Sequence, residues 1–463
     1  MELADHRRMI PDRWWEKASA MKLVTFKRGE RYSYAHPVSI DPSQASRQLD
    51  DVRAQGFDSI EIFAPAYGRF AYNGLDTVDH YAIDPEVGTM EDFRRFVRLA
   101  HERAIAVVAF VNVGYLSLEA PDFAEACTEK DGAKASWFWW ADSPSAPIPP
   151  EHAYFNRPRK GPDDERTWGW QYSERAGRYF WARWRTQDAQ AGSWVGLPQN
   201  NWQGDSWPAQ AQHVVEFWMD AGLDGLIIDA PMYYAGSSWA KNNRAITDVI
   251  ARRGNTFAQP EGADNVAWIT EGRYNCLQDY GLTVAGIDVI RAAVDSGDPR
   301  TIEEALRRYH DVAVAEGAVL YRRLPGRPEE AQRHLERATL VALGDLVVYG
   351  LDSGVPDAEE TALLTTKRCH PALHGLSRRR KLPTGSDNRH YALLKTANDG
   401  SERILAVLNY QPAAQTVEVD LSGVAFSCLV DLRTLAPHPA SDRLAIRLGP
   451  HGYRFFQVLP LAG

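Results

Sequence analysis

Short apolar runs alternate with longer amphipathic segments between about residue 20 and residue 350. The apolar runs lie at 21–26, 59–65, 105–114, 226–229, 255–261, 318–323 and 343–350. The amphipathic segments lie at 41–56, 90–104, 209–222, 239–254, 301–317 and 328–342. Near-continuous apolar strands separated by helices are typical of a parallel sheet that is covered on both faces. Roughly eight such units predict an α/β fold of the (β/α)8 TIM barrel type.

A long segment at 115–206 interrupts this alternation after the third predicted strand, and it is rich in Trp, Pro and Gly. Of the 15 tryptophans in the chain, 11 lie between Trp137 and Trp218. Aromatic side chains at this density form either a buried core or flat faces against which sugar rings pack. The sequence leaves both uses of the insertion open.

From about residue 385 the pattern changes to short runs in which apolar and polar positions alternate, without helical segments between them. This alternation is typical of strands with one buried face, and it predicts a small antiparallel β-sandwich. We therefore expect two domains. The barrel domain spans 1–384 and includes the insertion 115–206, and the C-terminal β-sandwich domain spans 385–463.

Composition and charge narrow the possible partners. The net charge of −9 argues against nucleic acid or an anionic membrane as a partner, because both require a basic surface. The four cysteines are scattered and show no spacing typical of a zinc site or a disulfide framework. No targeting segment or window of 18 apolar residues is evident, so we expect a cytoplasmic protein. We expect neither a metal nor a cofactor.

Several segments match known motifs in the same order along the chain. They are NGLDTVDHYAIDPEVGTM (73–90), WGWQYSERAGRYFWARW (168–184), LPQNNW (197–202), AGLDGLIIDA (221–230), ERILAVLNYQ (402–411) and GPHGYRFFQVL (449–459). Together they resemble the α-amylase family of retaining α-glucosidases, in particular its oligo-1,6-glucosidase and trehalose-synthase branch. The resemblance implies a catalytic barrel, and the active sites of such barrels lie at the carboxyl ends of the strands.

The resemblance implies a pair of catalytic carboxylates. Asp229 ends the fourth predicted strand and stands at the position of the family's nucleophile, and Glu261 ends the next strand at the position of its acid/base. A retaining mechanism needs two carboxyl groups about 5–5.5 Å apart. Glu271 also ends a strand-like run and is an alternative acid. A strand-end carboxylate that caps the following loop is the alternative reading of Asp229.

The resemblance also implies a set of sugar-binding residues. Asp76 matches the family's carboxylate that binds a sugar hydroxyl, although Asp is also a common turn residue. Tyr115 directly follows the third predicted strand, and Trp202 ends the matched segment 197–202; both are aromatic candidates for substrate contact. Arg322 and Arg323 could hold an anionic group through their guanidinium forks, or could form salt bridges at the rim of the barrel.

Important family positions differ in this chain. Ile227 stands where the family has an arginine, Ala109 and Gly114 replace its third-strand Asp and His, and Gln199 replaces an Asp. Three hypotheses follow. The first is a glycosidase or transglycosidase that acts on an α-glycoside through a remodelled sugar subsite. The second is a catalytically silent carbohydrate-binding or protein-interaction protein, and the third is a disaccharide isomerase.

Overall fold

A computed structural model describes residues 9–27, 35–69, 74–149, 169–187, 194–229, 231, 239–260, 276–278 and 287–461. The chain divides into two compact units. The first unit comprises Met1–Asp12, Leu23–Asp50 and Ile60–Asn275, and the second comprises Arg13–Lys22, Asp51–Ser59 and Cys276–Gly463. Within the described ranges, none of the helices combines the length and the apolar character that a membrane span requires.

The secondary structure of the described residues consists of 23 strands and 11 α-helices, with short 3₁₀ and π turns between some of them. The strands are β1 Ala20–Thr25, β2 His36–Pro37, β3 Ser59–Ile62, β4 Ala66–Gly68, β5 Thr77–Ile83, β6 Ala106–Val111, β7 Trp140–Ala141, β8 Gly169–Ser173, β9 Arg178–Gln187, β10 Trp194–Pro198, β11 Gly225–Ile228, β12 Phe257–Pro260, β13 Cys276–Gln278, β14 Val319–Leu324, β15 Leu346–Tyr349, β16 Arg378–Leu382, β17 His390–Thr396, β18 Arg403–Asn409, β19 Gln415–Asp420, β20 Cys428–Asp431, β21 Pro437–Pro439, β22 Arg443–Leu448 and β23 Tyr453–Leu459. The helices are α1 Trp14–Lys17, α2 Pro42–Ala54, α3 Met90–His101, α4 Pro121–Thr128, α5 Ser206–Asp220, α6 Trp239–Ala251, α7 Ile287–Ser296, α8 Arg300–Ala305, α9 Asp311–Ala315, α10 Glu330–Leu343 and α11 Ala358–Cys369.

Eight strands in the described part of the chain are arranged as in a (β/α)8 barrel, and helices lie between successive strands wherever the connecting residues are described. In the first unit they follow the order β12, β11, β6, β3, and β11 pairs in parallel with both β12 and β6. In the second unit the first residues of β1 pair in parallel with β15. Strand β15 pairs in parallel with β14, and β14 pairs in parallel with β13. Most positions of these strands are apolar, and almost all of those whose burial is described are buried, as in a parallel sheet with both faces covered. The predicted barrel class is confirmed.

Helix α3 shows how local sequence fixes an element beside the site. The hydroxyl of Thr89 accepts a hydrogen bond from the backbone N–H of Asp92 at 3.2 Å, and the Asp92 carboxylate accepts one from the backbone N–H of Thr89 at 3.0 Å. This reciprocal capping satisfies two donors that a helix end leaves without a partner. The helix therefore begins at Met90, the last residue of the matched motif 73–90.

The insertion contains its own small antiparallel sheet. Strand β9 pairs with β7, β8 and β10. Its aromatic residues pack against one another, and the ring of Phe123 lies 5.1 Å from the rings of both Phe138 and Phe180. In this part of the insertion, aromatic side chains therefore build a core.

The C-terminal segment forms two antiparallel sheets. The larger has the strand order β16, β17, β18, β23, β20, β21, and the smaller pairs β19 with β22. Apolar side chains from both sheets share one core, including Val407 and Phe456 from the first sheet and Val417 and Leu444 from the second. The predicted antiparallel β-sandwich is confirmed.

Candidate active site

Asp229 lies at the carboxyl end of strand β11. Ile228 is the last residue of that strand and pairs with Val111, and the backbone N–H of Asp229 donates to the carbonyl of Val111 at 2.9 Å. Leu226, Ile227 and Ile228 are at most 1 % exposed, and Asp229 is 8 % exposed. The apolar strand therefore delivers one buried carboxylate to the edge at which barrels of this kind hold their active sites.

The predicted partner carboxylate, Glu261, lies outside the described residues, and so does the alternative acid, Glu271. The strand that leads to Glu261 is described. Strand β12 ends at Pro260, and Pro260 pairs with Ile228. Ile228 and Pro260 are paired, and in the sequence Asp229 directly follows Ile228 and Glu261 directly follows Pro260.

Asp76 lies directly before strand β5, which forms an antiparallel hairpin with β4. The pairing joins Ala66 to Ile83 and Gly68 to Thr77. Asp76 is 4 % exposed, so the structure buries this predicted sugar-binding carboxylate as it buries Asp229. A Cβ on Gly68 would lie 2.0 Å from the carbonyl oxygen of Gly74, and this close approach requires a glycine.

Asn112 connects the Asp76 segment to the barrel. It directly follows strand β6 and is 3 % exposed. Its Nδ2 donates to the carbonyls of Leu75 at 2.7 Å and Tyr115 at 2.9 Å, and its Oδ1 accepts from the N–H of Gly114 at 2.7 Å. One side chain thus fixes the turn after β6 and ties it to the residue that precedes Asp76. Sequence reasoning missed it, and a polar residue directly after an apolar strand was the available signal.

The two predicted aromatic contacts, Tyr115 and Trp202, lie at this same turn. Tyr115 is 3 % exposed and forms a β-bridge with Gln199, whose Nε2 donates to the carbonyl of Gly114 at 2.6 Å. Trp202 is 1 % exposed, and its indole N–H donates to the carbonyl of Val113 at 3.2 Å. The described contacts make these residues supports of the turn, and their contact with a sugar stays a prediction.

Lys27 is a second residue that sequence reasoning missed. It follows strand β1, is 6 % exposed, and donates from Nζ to the carbonyl of Ala66 at 3.1 Å. Burial lowers the pKa of Lys27 to about 8, against the opposing pull of the Asp84 and Asp76 carboxylates. The amine is therefore still mostly protonated at neutral pH, and it brings a positive charge to the hairpin that carries Asp76.

His80 lies on strand β5, four residues after Asp76, and it was also missed. Its ring is 4 % exposed and lies 6.0 Å from the ring of Trp207. Neither ring nitrogen has a hydrogen-bond partner among the described residues. Burial lowers the pKa of His80 to about 4, so the imidazole is neutral at physiological pH.

Arg322 and Arg323 belong to the second unit and differ in their surroundings. Arg322 is fully buried, and its Nε donates to the carboxylate of Asp345 at 2.8 Å. Successive side chains of a strand point to opposite faces, so Arg323 points away from this ion pair, and it is half-buried. The salt bridge that the sequence left open as an alternative is formed by Arg322.

One group of side chains in the described part of the chain has the composition of a metal site. It consists of Glu330, His334 and Asp357, whose ligand atoms lie within 4.8 Å of one another. The Asp357 carboxylate already accepts hydrogen bonds from His334 at 2.7 Å and Arg333 at 2.8 Å. A guanidinium at this position provides the positive charge that a metal ion would bring, so we assign no metal here.

Comparison with protein families gives two matches. Residues 45–275 match a family model described as "Alpha amylase, catalytic domain". Residues 382–455 match one described as "Maltogenic Amylase, C-terminal domain". The first match contains Asp76, Tyr115, Trp202 and Asp229, and the second coincides with the β-sandwich.

Individual relatives are distant. An alpha-glucosidase of Schizosaccharomyces pombe is 24 % identical over 230 residues, 48 % of this chain and 35 % of that protein. An oligo-1,6-glucosidase of Heyndrickxia coagulans is 26 % identical over 47 % of this chain and 35 % of its own length. A trehalose synthase of Pimelobacter sp. is 26 % identical over 48 % and 36 %. The chain thus spans about a third of the length of the curated relatives that it matches.

Solved structures are similar over almost the whole chain. The alpha-amylase from H. orenii superposes with a TM-score of 0.72 at 14 % identity, over 95 % of this chain and 99 % of that one. The trehalose-6-phosphate hydrolase of Bacillus licheniformis gives a TM-score of 0.70 at 14 % identity, over 96 % and 100 %. At this identity the likeness shows the fold.

Proposed function

Because the chain belongs to the alpha-amylase family, we propose that it is a glycosidase or transglycosidase that acts on an α-glycoside by a retaining mechanism. Asp229 is the nucleophile and Glu261 the acid/base in this proposal. The relatives named alpha-glucosidase and oligo-1,6-glucosidase support an α-glucoside as the first substrate to test.

The register of β11 and β12 is the observation that carries the proposal. Ile228 and Pro260 are paired, and each is followed by one of the two carboxylates. Neighbouring strands lie about 4.8 Å apart. Retaining glycosidases require carboxyl groups about 5–5.5 Å apart. This pairing therefore supports a double displacement better than the inverting alternative, which needs a wider gap.

In the first step the Asp229 carboxylate attacks the anomeric carbon while Glu261 transfers its proton to the leaving oxygen. The product is a covalent glycosyl-enzyme. In the second step Glu261, now ionised, takes a proton from water or from an acceptor hydroxyl, which attacks the same carbon and releases Asp229. Asp76 accepts a hydrogen bond from a hydroxyl of the bound sugar.

The subsite for the reacting sugar is remodelled in this proposal. Ile227 occupies the position of the family's arginine and is 1 % exposed, so no charge from this side chain reaches the nucleophile. Loss of one such electrostatic partner typically costs about 10²–10³ in rate. We therefore expect a substrate whose sugar differs from that of ordinary starch-degrading relatives.

Replacement of the nucleophile tests the proposal. We expect D229N to lower kcat/KM on 4-nitrophenyl α-glucoside, or on the most reactive glycoside of a panel, by on the order of 10³–10⁴-fold. A 2-fluoro glycoside should label the wild-type peptide that contains Asp229. Full turnover by D229N would refute the assignment.

Asp224 provides a matched control, because it is buried at the opposite end of the same strand. Its carboxylate accepts hydrogen bonds from His101 and from the backbone N–H of Val107, both at 2.8 Å. D224N should therefore lower the melting temperature while its folded fraction turns over at the wild-type rate.

Two other functions remain candidates, each with an observation in its favour. The buried Ile227 favours a catalytically silent carbohydrate-binding protein, which would bind sugars in calorimetry and turn over none of the panel. The relative named trehalose synthase favours a disaccharide isomerase. An isomerase would convert one disaccharide into another with little free monosaccharide, so product analysis separates it from a hydrolase.

A cytoplasmic location is part of the proposal. The described cysteines Cys127, Cys369 and Cys428 are free thiols. Free thiols are typical of a reducing compartment.

A further inference from the structure

The hairpin of β4 and β5 needs support from outside itself to position Asp76. Strand β4 has only three residues, and its register with β5 shifts on both sides of Tyr67. An isolated two-stranded hairpin is marginally stable in water. A catalytic-site carboxylate has to be held within a fraction of an ångström, so the contacts that hold this hairpin matter for Asp76.

Lys27 holds the β4 end of the hairpin. Its Nζ donates to the carbonyl of Ala66, the first residue of β4, at 3.1 Å. Lys27 follows the carboxyl end of β1, and its side chain is 6 % exposed. The hydrogen bond is therefore shielded from water, in which it would be weaker.

Asn112 holds the β5 end of the hairpin. Its Nδ2 donates at 2.7 Å to the carbonyl of Leu75, the residue before Asp76. The other two hydrogen bonds of Asn112 lock the turn after β6, so the side chain cannot rotate away without breaking them. Strand β6 is the neighbour of β11, which carries Asp229. Asn112 thereby connects the Asp76 segment to the strand beside the nucleophile.

The positive charge of Lys27 also holds the side chain at the hairpin. Asp84 and Asp76, just after and just before strand β5, both attract the ammonium. Among the described residues of the first unit, Lys27 is the one lysine or arginine that is buried. Ile227, which stands where the family has an arginine, provides no charge. The ammonium therefore offsets the negative charge that Asp76 brings into a buried site.

We infer that Lys27 and Asn112 are positioning residues, which hold the β4–β5 hairpin at its two ends and thereby fix the Asp76 carboxylate relative to the strand that carries Asp229. The catalytic part of this inference rests on the proposed function, and the structural part does not. The two residues follow different strands, β1 and β6, and each makes its own contact with the hairpin.

Hydrogen exchange tests the structural part without any assay of activity. We expect N112A and K27M each to accelerate amide exchange in peptides that cover 66–83, by on the order of tenfold. The chain contains matched controls. Asn409 is buried and donates from Nδ2 to two carbonyls, at 3.0 and 2.8 Å, and accepts from a backbone N–H at 3.0 Å. Lys22, on strand β1, donates from Nζ to Gln55 at 2.8 Å.

N409A and K22M should leave exchange at 66–83 unchanged. Unchanged exchange at 66–83 in both N112A and K27M would overturn the inference, whatever the protein catalyses. If N112A fails to fold, K27M still tests it, because this change leaves all three hydrogen bonds of Asn112 in place.

A double-mutant cycle tests whether Asn112 acts through Asp76. We expect N112A to lower kcat/KM on the same glycoside by about 10²-fold in the wild-type background. In the D76N background the same change should cost less than about threefold, since the group that it positions is gone. An equal loss in both backgrounds would refute a role through Asp76. Full activity of D229N would instead refute the proposed function, so the two failures are distinguishable.

Discussion

Single residues show an imbalance of buried charge in the unit that carries the site. Four carboxylates are buried among its described residues, namely Glu61, Asp76, Asp224 and Asp229. Among the same described residues, Lys27 is the one lysine or arginine that is buried. Burial of a carboxylate is costly without a compensating charge or hydrogen bonds. This makes the small set of polar partners around Asp76 more important than in a site that keeps the family's arginine.

His80 makes stability depend on pH. Burial lowers the pKa of His80 to about 4, whereas histidine in an unfolded chain titrates near pH 6.5. Between these values the unfolded chain binds a proton that the folded chain does not, so the free energy of unfolding falls as the pH falls. We expect the wild type to lose about 2 kcal/mol more than H80F between pH 6.5 and pH 5.

Urea unfolding at the two pH values measures this difference. H213F, which removes a histidine with 67 % of its side chain exposed, is the control and should behave as the wild type. If H80F and the wild type lose the same stability on acidification, His80 is not the group responsible.

Among the secondary-structure elements, the hairpin of β4 and β5 contains a very close approach between two backbone segments. Gly68 faces the backbone of Gly74, which has a φ of 88°, a left-handed conformation that favours glycine. The two glycines let the hairpin close tightly just before Leu75 and Asp76.

Replacement of Gly68 tests this constraint. In G68A the new Cβ would lie 2.0 Å from the carbonyl oxygen of Gly74, so the segment that carries Asp76 must move. We expect a loss of about 1–3 kcal/mol in the free energy of unfolding. Turnover on the glycoside should fall by about tenfold or more. G449A is the control, because a Cβ there meets nothing within 4 Å. Wild-type activity in G68A would contradict this account.

The elements themselves could be predicted from the sequence because their signals are local. The apolar run before Asp229 and the capping residues Thr89 and Asp92 each act over a few positions. Lys27 and Asn112 could not be predicted in this way. Their partners lie 39 and 37 positions away, and a lysine or asparagine after a strand is compatible with many roles. Only the folded chain shows which carbonyls they meet.

At the scale of the whole molecule, buried ionisable side chains connect different elements of the second unit. Arg322 and His310 both contact the Asp345 carboxylate, at 2.8 and 3.3 Å. Burial opposes ionisation of Asp345, yet the charge of Arg322 and the interaction with His310 lower its pKa below the usual range. Lys367 donates to the carbonyl of Asp345 at 2.6 Å.

Lys395 joins the β-sandwich to the helical part of the same unit. Its side chain is fully buried and donates to the carbonyls of Leu343 at 2.9 Å and Ser377 at 3.0 Å. Leu343 ends helix α10, and Lys395 lies on strand β17. These buried hydrogen bonds connect the β-sandwich to residues that precede the predicted boundary near residue 384, and both parts belong to the same compact unit.

Lys395 should reveal this connection through the pH dependence of stability. Burial lowers the pKa of Lys395 to about 7; Arg379 and Lys367 lower it further, while Asp345 and Asp311 oppose the shift. Lysine in the unfolded chain titrates near pH 10.4. Above pH 7 the unfolded chain therefore holds a proton that the folded chain has lost, and the free energy of unfolding rises with pH.

We expect the wild type to gain about 2–3 kcal/mol relative to K395M between pH 7 and pH 9, as measured by urea unfolding. K130M removes an exposed lysine and should follow the wild type. If the curves of K395M and the wild type stay parallel over this range, Lys395 keeps its proton in the fold. Lys395 would then be an ammonium group at all these pH values. Its hydrogen bonds to the two carbonyls would in that case stabilise the charge enough to offset the cost of burial.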